Sequence, residues 1–183
     1  TTAIKTVGQL CQLAMHAIPL PCTTAELPVF DFVWYNQDDE ADSADLSSFG
    51  RETVALNHAL KHRGTGLFLL DEFGKETNPA EGEALSAAVL RYLQTTRHKC
   101  FTATHFTAPT RLPRIAQYAI KGFADDVFET LEQTADIKLR LQILNEAMDY
   151  GIIRLSSHAA PPQCAVKIAE VLGMHPDILK YLL

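Results

Sequence analysis

Two acidic side chains stand together at Asp71 and Glu72, where the apolar run Leu67 to Leu70 stops. A glycine, a lysine and turn formers come next in "FGKETNPAEG". A continuous apolar run suits a central parallel strand that is covered on both faces. In open parallel sheets, ligands sit beyond the carboxyl ends of the strands. Nucleotide hydrolysis is a chemistry that uses two adjacent carboxylates at that edge. The first, Asp71, would hold Mg²⁺, usually through water, and the metal would neutralise phosphate charge. The second, Glu72, would orient or deprotonate the attacking water. The pattern is hhhhDE, the Walker B signature. A strand that turns into solvent with two charges is the competing reading of these residues taken alone.

Two further features bear on that choice. "CFTATHF", residues 100–106, reads as a later strand ending in Thr104 and His105. In a parallel sheet that end lies on the same edge as Asp71 and Glu72, where an imidazole can reach a γ-phosphate or the attacking water. A lone histidine is otherwise a surface or core-edge group. The chain also opens on Thr1 and Thr2, followed by an amphipathic helix. A phosphate-binding loop has the form GxxxxGK[ST], and its last hydroxyl ligates Mg²⁺ before a helix begins. On this reading the glycines and the lysine would precede residue 1, and the sequence reads as a piece of a longer chain.

The elements that must position these residues alternate. Residues 3–18 place Ile4, Val7, Leu10, Cys11, Ala14 and Ile18 at helical spacing, and the prolines of "PLPC" end the helix. Val29 to Trp34 reads as a strand with core aromatics. The acidic stretch 36–45 reads as a solvated loop. "LSSFGRETVALNHALKHRG" starts a helix that Ser47 or Ser48 could cap, with Glu52 near the capping-box spacing. Residues 81–96 form another helix with Ala84, Leu85, Ala88, Val89 and Leu93 on one stripe. "YAIKGFADDVFETLE" reads as further strand. Residues 135–148 fit either a helix or a charged hairpin. "QCAVKIAEVLGMHPDILKYLL" reads as two short helices, with Gly173 at a C-cap and Pro176 in a first turn. Alternating strands and helices imply an α/β fold with a mostly parallel sheet.

Composition narrows the function classes. The chain has 183 residues, 47% hydrophobic and 21% charged, with a formal net charge of −6. A surface that binds nucleic acid is usually basic, so any DNA would be touched by another part of a larger protein. No apolar run approaches the roughly 20 residues that span a bilayer. Cys11, Cys22, Cys100 and Cys164 are far apart and form no CxxC pair, so they read as free thiols of a cytoplasmic protein without zinc. His58 and His62 lie one helical turn apart and could bind a metal. A solvated helix face is the simpler reading.

Taken together, "TTAIKTVGQLCQLA", "LSSFGRE", "GLFLLDEFGKETNPAEGEAL" and "FTATHF" resemble, in order and spacing, the motifs of the MutS-family ATPase domain. That family belongs to the ABC-type P-loop NTPases and includes the DNA mismatch-repair proteins. The resemblance covers nearly the whole chain. It implies an ATPase domain over 1–155 that begins just after the Walker A lysine, then a C-terminal helix–turn–helix segment over 156–183 that packs in a homodimer. It also implies that Thr1, with Thr2 beside it, and Asp71 serve ATP and Mg²⁺, and that Glu72 and His105 are catalytic. Gly74, Thr77 and Asn78 match the turn after the DE pair, at the dimer contact. Ser47, Ser48, Phe49 and Glu52 match a segment that helps complete the neighbouring subunit's nucleotide site. ATP-driven closure would then move a distant clamp on DNA.

The chain departs from typical mismatch-repair members at "GKETNPAEG", with Glu76 where a glycine is usual, and at "SSFGRE". Its tail is similar to a divergent branch that includes proteins associated with reactivating cobalamin-dependent aminomutases. The resemblance leaves three readings: an ATPase module of a DNA clamp, an ATPase that remodels a protein partner, or a dimerisation domain without catalysis.

Overall fold

The computed structural model describes residues 1–36, 46–156 and 164–181. The acidic loop expected at 36–45 lies outside them except for Asn36, as do 157–163 and 182–183 of the segment expected at 156–183. Two compact units divide the chain, Thr1–Pro113 and Arg114–Leu183.

The first unit is built around one strand. Strand β2, Gly66–Asp71, is buried at every position, and Leu67, Phe68, Leu69 and Leu70 are at most 2% exposed. Burying such a side chain stabilises a fold by roughly 1.5–3 kcal/mol, so this strand dominates the core. It pairs in parallel with β1, Phe32–Tyr35, on one side and with β3, Lys99–Ala103, on the other. The strand order β1-β2-β3 matches chain order, and each parallel step needs a long crossover connection. Helix α2, Ser48–Ala59, lies in the first crossover and α3, Pro79–Gln94, in the second.

Helix α1, Thr2–Met15, covers one face of the sheet with Ile4 and Cys11, which cluster with Phe30, Tyr35, Leu67 and Leu69. Gly8 lets it come close, because a β-carbon there would lie 2.4 Å from Leu69 Cδ1. On the other face, Phe68 meets Phe32, Trp34 and the His98 ring, with centroids 5.1–5.7 Å away. Strand β1 starts later than the sequence suggests. Val29 is 90% exposed, and Pro28 just before it has no N–H to give a ladder.

Short helix α4, Thr107–Thr110, closes the first unit. In the second, strands β4, Tyr118–Gly122, and β5, Asp149–Arg154, form an antiparallel ribbon. The sequence reading of 118–132 as strand holds only for Tyr118–Gly122. Residues Asp125–Gln133 form helix α5. Its Phe128 and Leu131, three apart, bury one stripe together with Leu144 and Val171, and Asp125 and Asp126 sit in its first turn, where the helix dipole favours negative charge.

The choice left open at 135–148 resolves to helix α6, Ile137–Ala147, whose Asp136 side chain accepts from Lys138 N–H at 2.8 Å. Arg140 donates to the carbonyls of Thr134 and Val171. Helices α7, Ala165–Val171, and α8, Pro176–Leu179, form the expected C-terminal pair. Gly173 between them has φ +87°, as a left-handed C-terminal cap requires.

Among the described residues no helix is long and apolar enough to cross a membrane. All four cysteines are free thiols, and burial pushes the Cys100 thiol up to about 12. His58 and His62 stack edge to face at 5.5 Å on α2, and among the described residues no group of three or more His, Cys, Asp or Glu side chains could hold a metal ion.

Candidate functional site

The carboxyl ends of β1, β2 and β3 share one edge because all three strands run the same way. Asp71 is the last residue of β2 and is 3% exposed. Its Oδ2 accepts from the Tyr35 hydroxyl at 3.1 Å, and the Thr1 side chain lies close enough to influence the same carboxylate. The Thr1 main-chain nitrogen lies 3.5 Å from Oδ1. Burial works against the charge on Asp71, but the Thr1 and Tyr35 side chains and the Thr1 nitrogen together hold its carboxyl below the usual range.

Glu72 leaves the strand in a left-handed conformation, φ +52°, while its N–H still bonds to Ala103 C=O at 2.8 Å. Its side chain points to more open space, 30% exposed. Lys75 Nζ donates to Oε2 at 2.9 Å, and His105 Nε2 lies 2.9 Å from Oε1. The hydrogen bond from Lys75 is the main reason that the Glu72 carboxyl is held low. The His105 side chain is 91% exposed, so Glu72 anchors one nitrogen while most of the ring faces outward. His105 sits two residues past β3, and Glu83 of α3 steadies the start of α4 just after it. Glu83 Oε1 accepts from Thr107 N–H at 2.8 Å and from Ala108 N–H at 2.6 Å.

Beyond the DE pair, Gly74 takes φ +82° and packs against Gly82 of α3. Ser48, Glu52, Asp71, Glu72, Lys75 and Glu76, with Asn36, line a cavity of about 180 Å³.

The structure thus brings Thr1, Asp71, Glu72, His105 and Ser48 to one edge. Other expected site residues face main-chain partners. Ser47 Oγ accepts from Gly50 N–H at 3.1 Å and caps α2. Asn78 Oδ1 accepts from Ala80 N–H at 3.0 Å and caps α3. Thr2 begins α1, and its carbonyl accepts from the Thr6 hydroxyl. Thr77 is half-buried in the turn. Glu52 does not close a capping box. Its oxygens accept from Asn36 Nδ2 at 2.6 Å and Gly74 N–H at 3.1 Å.

Sequence reasoning missed Asn36, Tyr35 and Glu83. A signal existed for Asn36, a polar residue directly after strand "FVWY" and hence at the carboxyl edge of the sheet. No signal existed for Glu83, whose partners lie 24 and 25 residues away.

Curated relatives share this stretch. "Endonuclease MutS2" of Maridesulfovibrio salexigens is 36% identical over 111 residues, which is 59% of this chain and 14% of that protein. The protein of the same name from Caldicellulosiruptor bescii is 34% identical over 141 residues, 75% of this chain and 17% of that protein. That of Caldanaerobacter subterraneus is 32% identical over 124 residues, 66% and 15%. The chain therefore spans under a fifth of the length of these relatives. The family model described as MutS domain V matches residues 1–174. With nearly its whole length inside that match, the chain belongs to the MutS family, as its domain V.

Proposed function

We propose that this chain is the ATPase module of a MutS-like protein related to mismatch repair, with the ABC-type P-loop NTPase fold, and that it works as a homodimer. The observation that carries the reading is the placement of Thr1 against buried Asp71 at the carboxyl edge of β2, with the Glu72–His105 pair directly beside it.

The donor set at Thr1 and Asp71 is two hard oxygens, a hydroxyl and a carboxylate. This fits Mg²⁺, which takes one or two protein oxygens and fills its octahedron with water and phosphate oxygens. Bound there with ATP, Mg²⁺ supplies neutralisation of the β- and γ-phosphate charge. The residues of the chain do the rest. Tyr35 keeps Asp71 oriented. Glu72, reachable from solvent, holds the attacking water and takes its proton. His105, held by Glu72, faces the side from which a γ-phosphate would arrive. Thr2, Thr77 and Asn78 border the nucleotide, and Ser47 and Ser48 face the nucleotide of the partner subunit. The 156–183 segment packs in the dimer.

The net charge of −6 supports DNA contact by other parts of the protein. The name "Endonuclease MutS2" of the relatives supports DNA, rather than a protein partner, as what the ATP-driven movement acts on.

Glu72→Gln in the intact protein tests the reading. It keeps nucleotide affinity and slows single-turnover hydrolysis by about 100-fold or more, the range for loss of a general base. Unchanged single-turnover hydrolysis defeats the assignment.

A further inference from the structure

We propose that Asn36 and Glu52 are positioning residues for the Asp71–Glu72 turn, acting from within the same chain and through it on the water-activating carboxylate. This rests on the ATPase reading above.

Asn36 is 7% exposed and uses both ends of its amide. Its Oδ1 accepts from Asp71 N–H at 2.8 Å, and its Nδ2 donates to Asp71 C=O at 3.2 Å. The last main-chain pair of β1 and β2 is Tyr35 with Leu69, and Asn36 N–H then bonds to Leu69 C=O at 3.1 Å. The Asn36 side chain therefore adds a rung where the ladder would stop, at the residue that must not move. Its orientation is fixed. A flipped amide would set oxygen against the Asp71 carbonyl and against Glu52, and nitrogen against the Asp71 N–H.

Glu52 completes the bracket. One oxygen accepts from Asn36 Nδ2 and the other from Gly74 N–H. Two donors converge on one side chain, so a carboxylate suits the position and an amide does not, since an amide has a single acceptor atom. The bracket grips the chain at Asp71 and again at Gly74, on either side of Glu72. Glu72 sits between these grips in a left-handed conformation that its β-carbon disfavours. Such a conformation persists where the surroundings over-determine it.

The same bracket ties the turn to α2. Ser48 and Glu52 are one helical turn apart on one face, and both line the cavity beside Asp71 and Glu72. A displacement of the start of α2 is thereby carried to Glu72.

The test is steady-state kinetics and nucleotide binding on the intact protein carrying Glu52→Gln, Asn36→Ala, both changes, or Glu72→Gln. Glu52→Gln keeps shape but loses one acceptor. It lowers kcat roughly 10- to 100-fold, as a misplaced catalytic group does, while KM and nucleotide Kd stay within about two-fold. The double variant is no slower than the slower single, because both residues act through one bracket. A Glu52→Gln protein with unchanged kcat, or with kcat and nucleotide affinity lost together, overturns the inference. So does a double variant whose losses multiply. If Asn36→Ala does not fold, the kcat-against-KM split of Glu52→Gln decides alone. Glu72→Gln separates the two failures. Turnover unaffected in that variant removes the ATPase reading itself, whereas turnover lost there but normal in Glu52→Gln removes only the positioning role.

Discussion

Gly74 and Gly82 touch through their backbones: a β-carbon on Gly82 would lie 2.2 Å from the Gly74 carbonyl oxygen. Main chain cannot swing aside as a side-chain tip can, so the turn after Glu72 and helix α3 are seated at a distance that only a hydrogen at position 82 allows. The contact sets how far the turn stands from the helix that also holds Glu83.

Gly82→Ala must therefore push the two segments apart. We expect a loss of about 1–3 kcal/mol, the usual cost of overpacking a close contact, seen as a lower midpoint in urea with an unchanged slope. Hydrolysis should fall with it, because the displaced turn carries Glu72. A variant as stable as the parent would show that the turn yields without cost.

Caps should matter in a different way. Ser47 and Asn78 each give a side-chain oxygen to the first turn of a helix. Ser47→Ala and Asn78→Ala should each cost about 1 kcal/mol of stability. Asn78→Asp should keep most of it, since Asp caps as well as Asn. Thermal or urea denaturation of the three variants checks this. An Asn78→Asp protein as weak as Asn78→Ala would deny the cap.

His98 gives the fold a pH dependence. Its Nδ1 accepts from Gly66 N–H at 2.9 Å, at the start of the central strand, and its ring packs against Phe32 and Phe68. Burial first, and the Arg97 charge second, hold its pKa below the ordinary 6.5. The unfolded chain then takes up this proton at a higher pH than the folded one does. The contribution of His98 is complete above about pH 6.5 and is lost as pH falls from there toward the folded value. His98→Gln, which can still accept from Gly66, should flatten the stability profile below pH 6.5. A profile as steep as the parent's would place the titration elsewhere.

The strand that carries the site was readable because it breaks no rule. Leu67 to Leu70 is apolar without interruption, and a strand buried on both faces demands that. The two carboxylates at its end stood out for the same reason. Helix α5 was misread because Phe123, Val127 and Phe128 favour strands locally, while the burial of Phe128 and Leu131 against Leu144 and Val171 is set by residues far along the chain. The bracket at Asn36, Glu52 and Gly74 was out of reach for a related cause. Its hydrogen bonds join residues 16, 22 and 35 positions apart, and no periodicity encodes them.

The left-handed backbone of Glu72 has an evolutionary consequence. A non-glycine residue held there costs of order 1–3 kcal/mol, and glycine or asparagine tolerates that conformation better. Selection for thermal robustness alone would therefore drift position 72 away from glutamate, toward a sturdier protein without the carboxylate to which the proposed mechanism assigns the water. A laboratory screen for heat resistance run without an activity filter would be expected to erase glutamate at this position early.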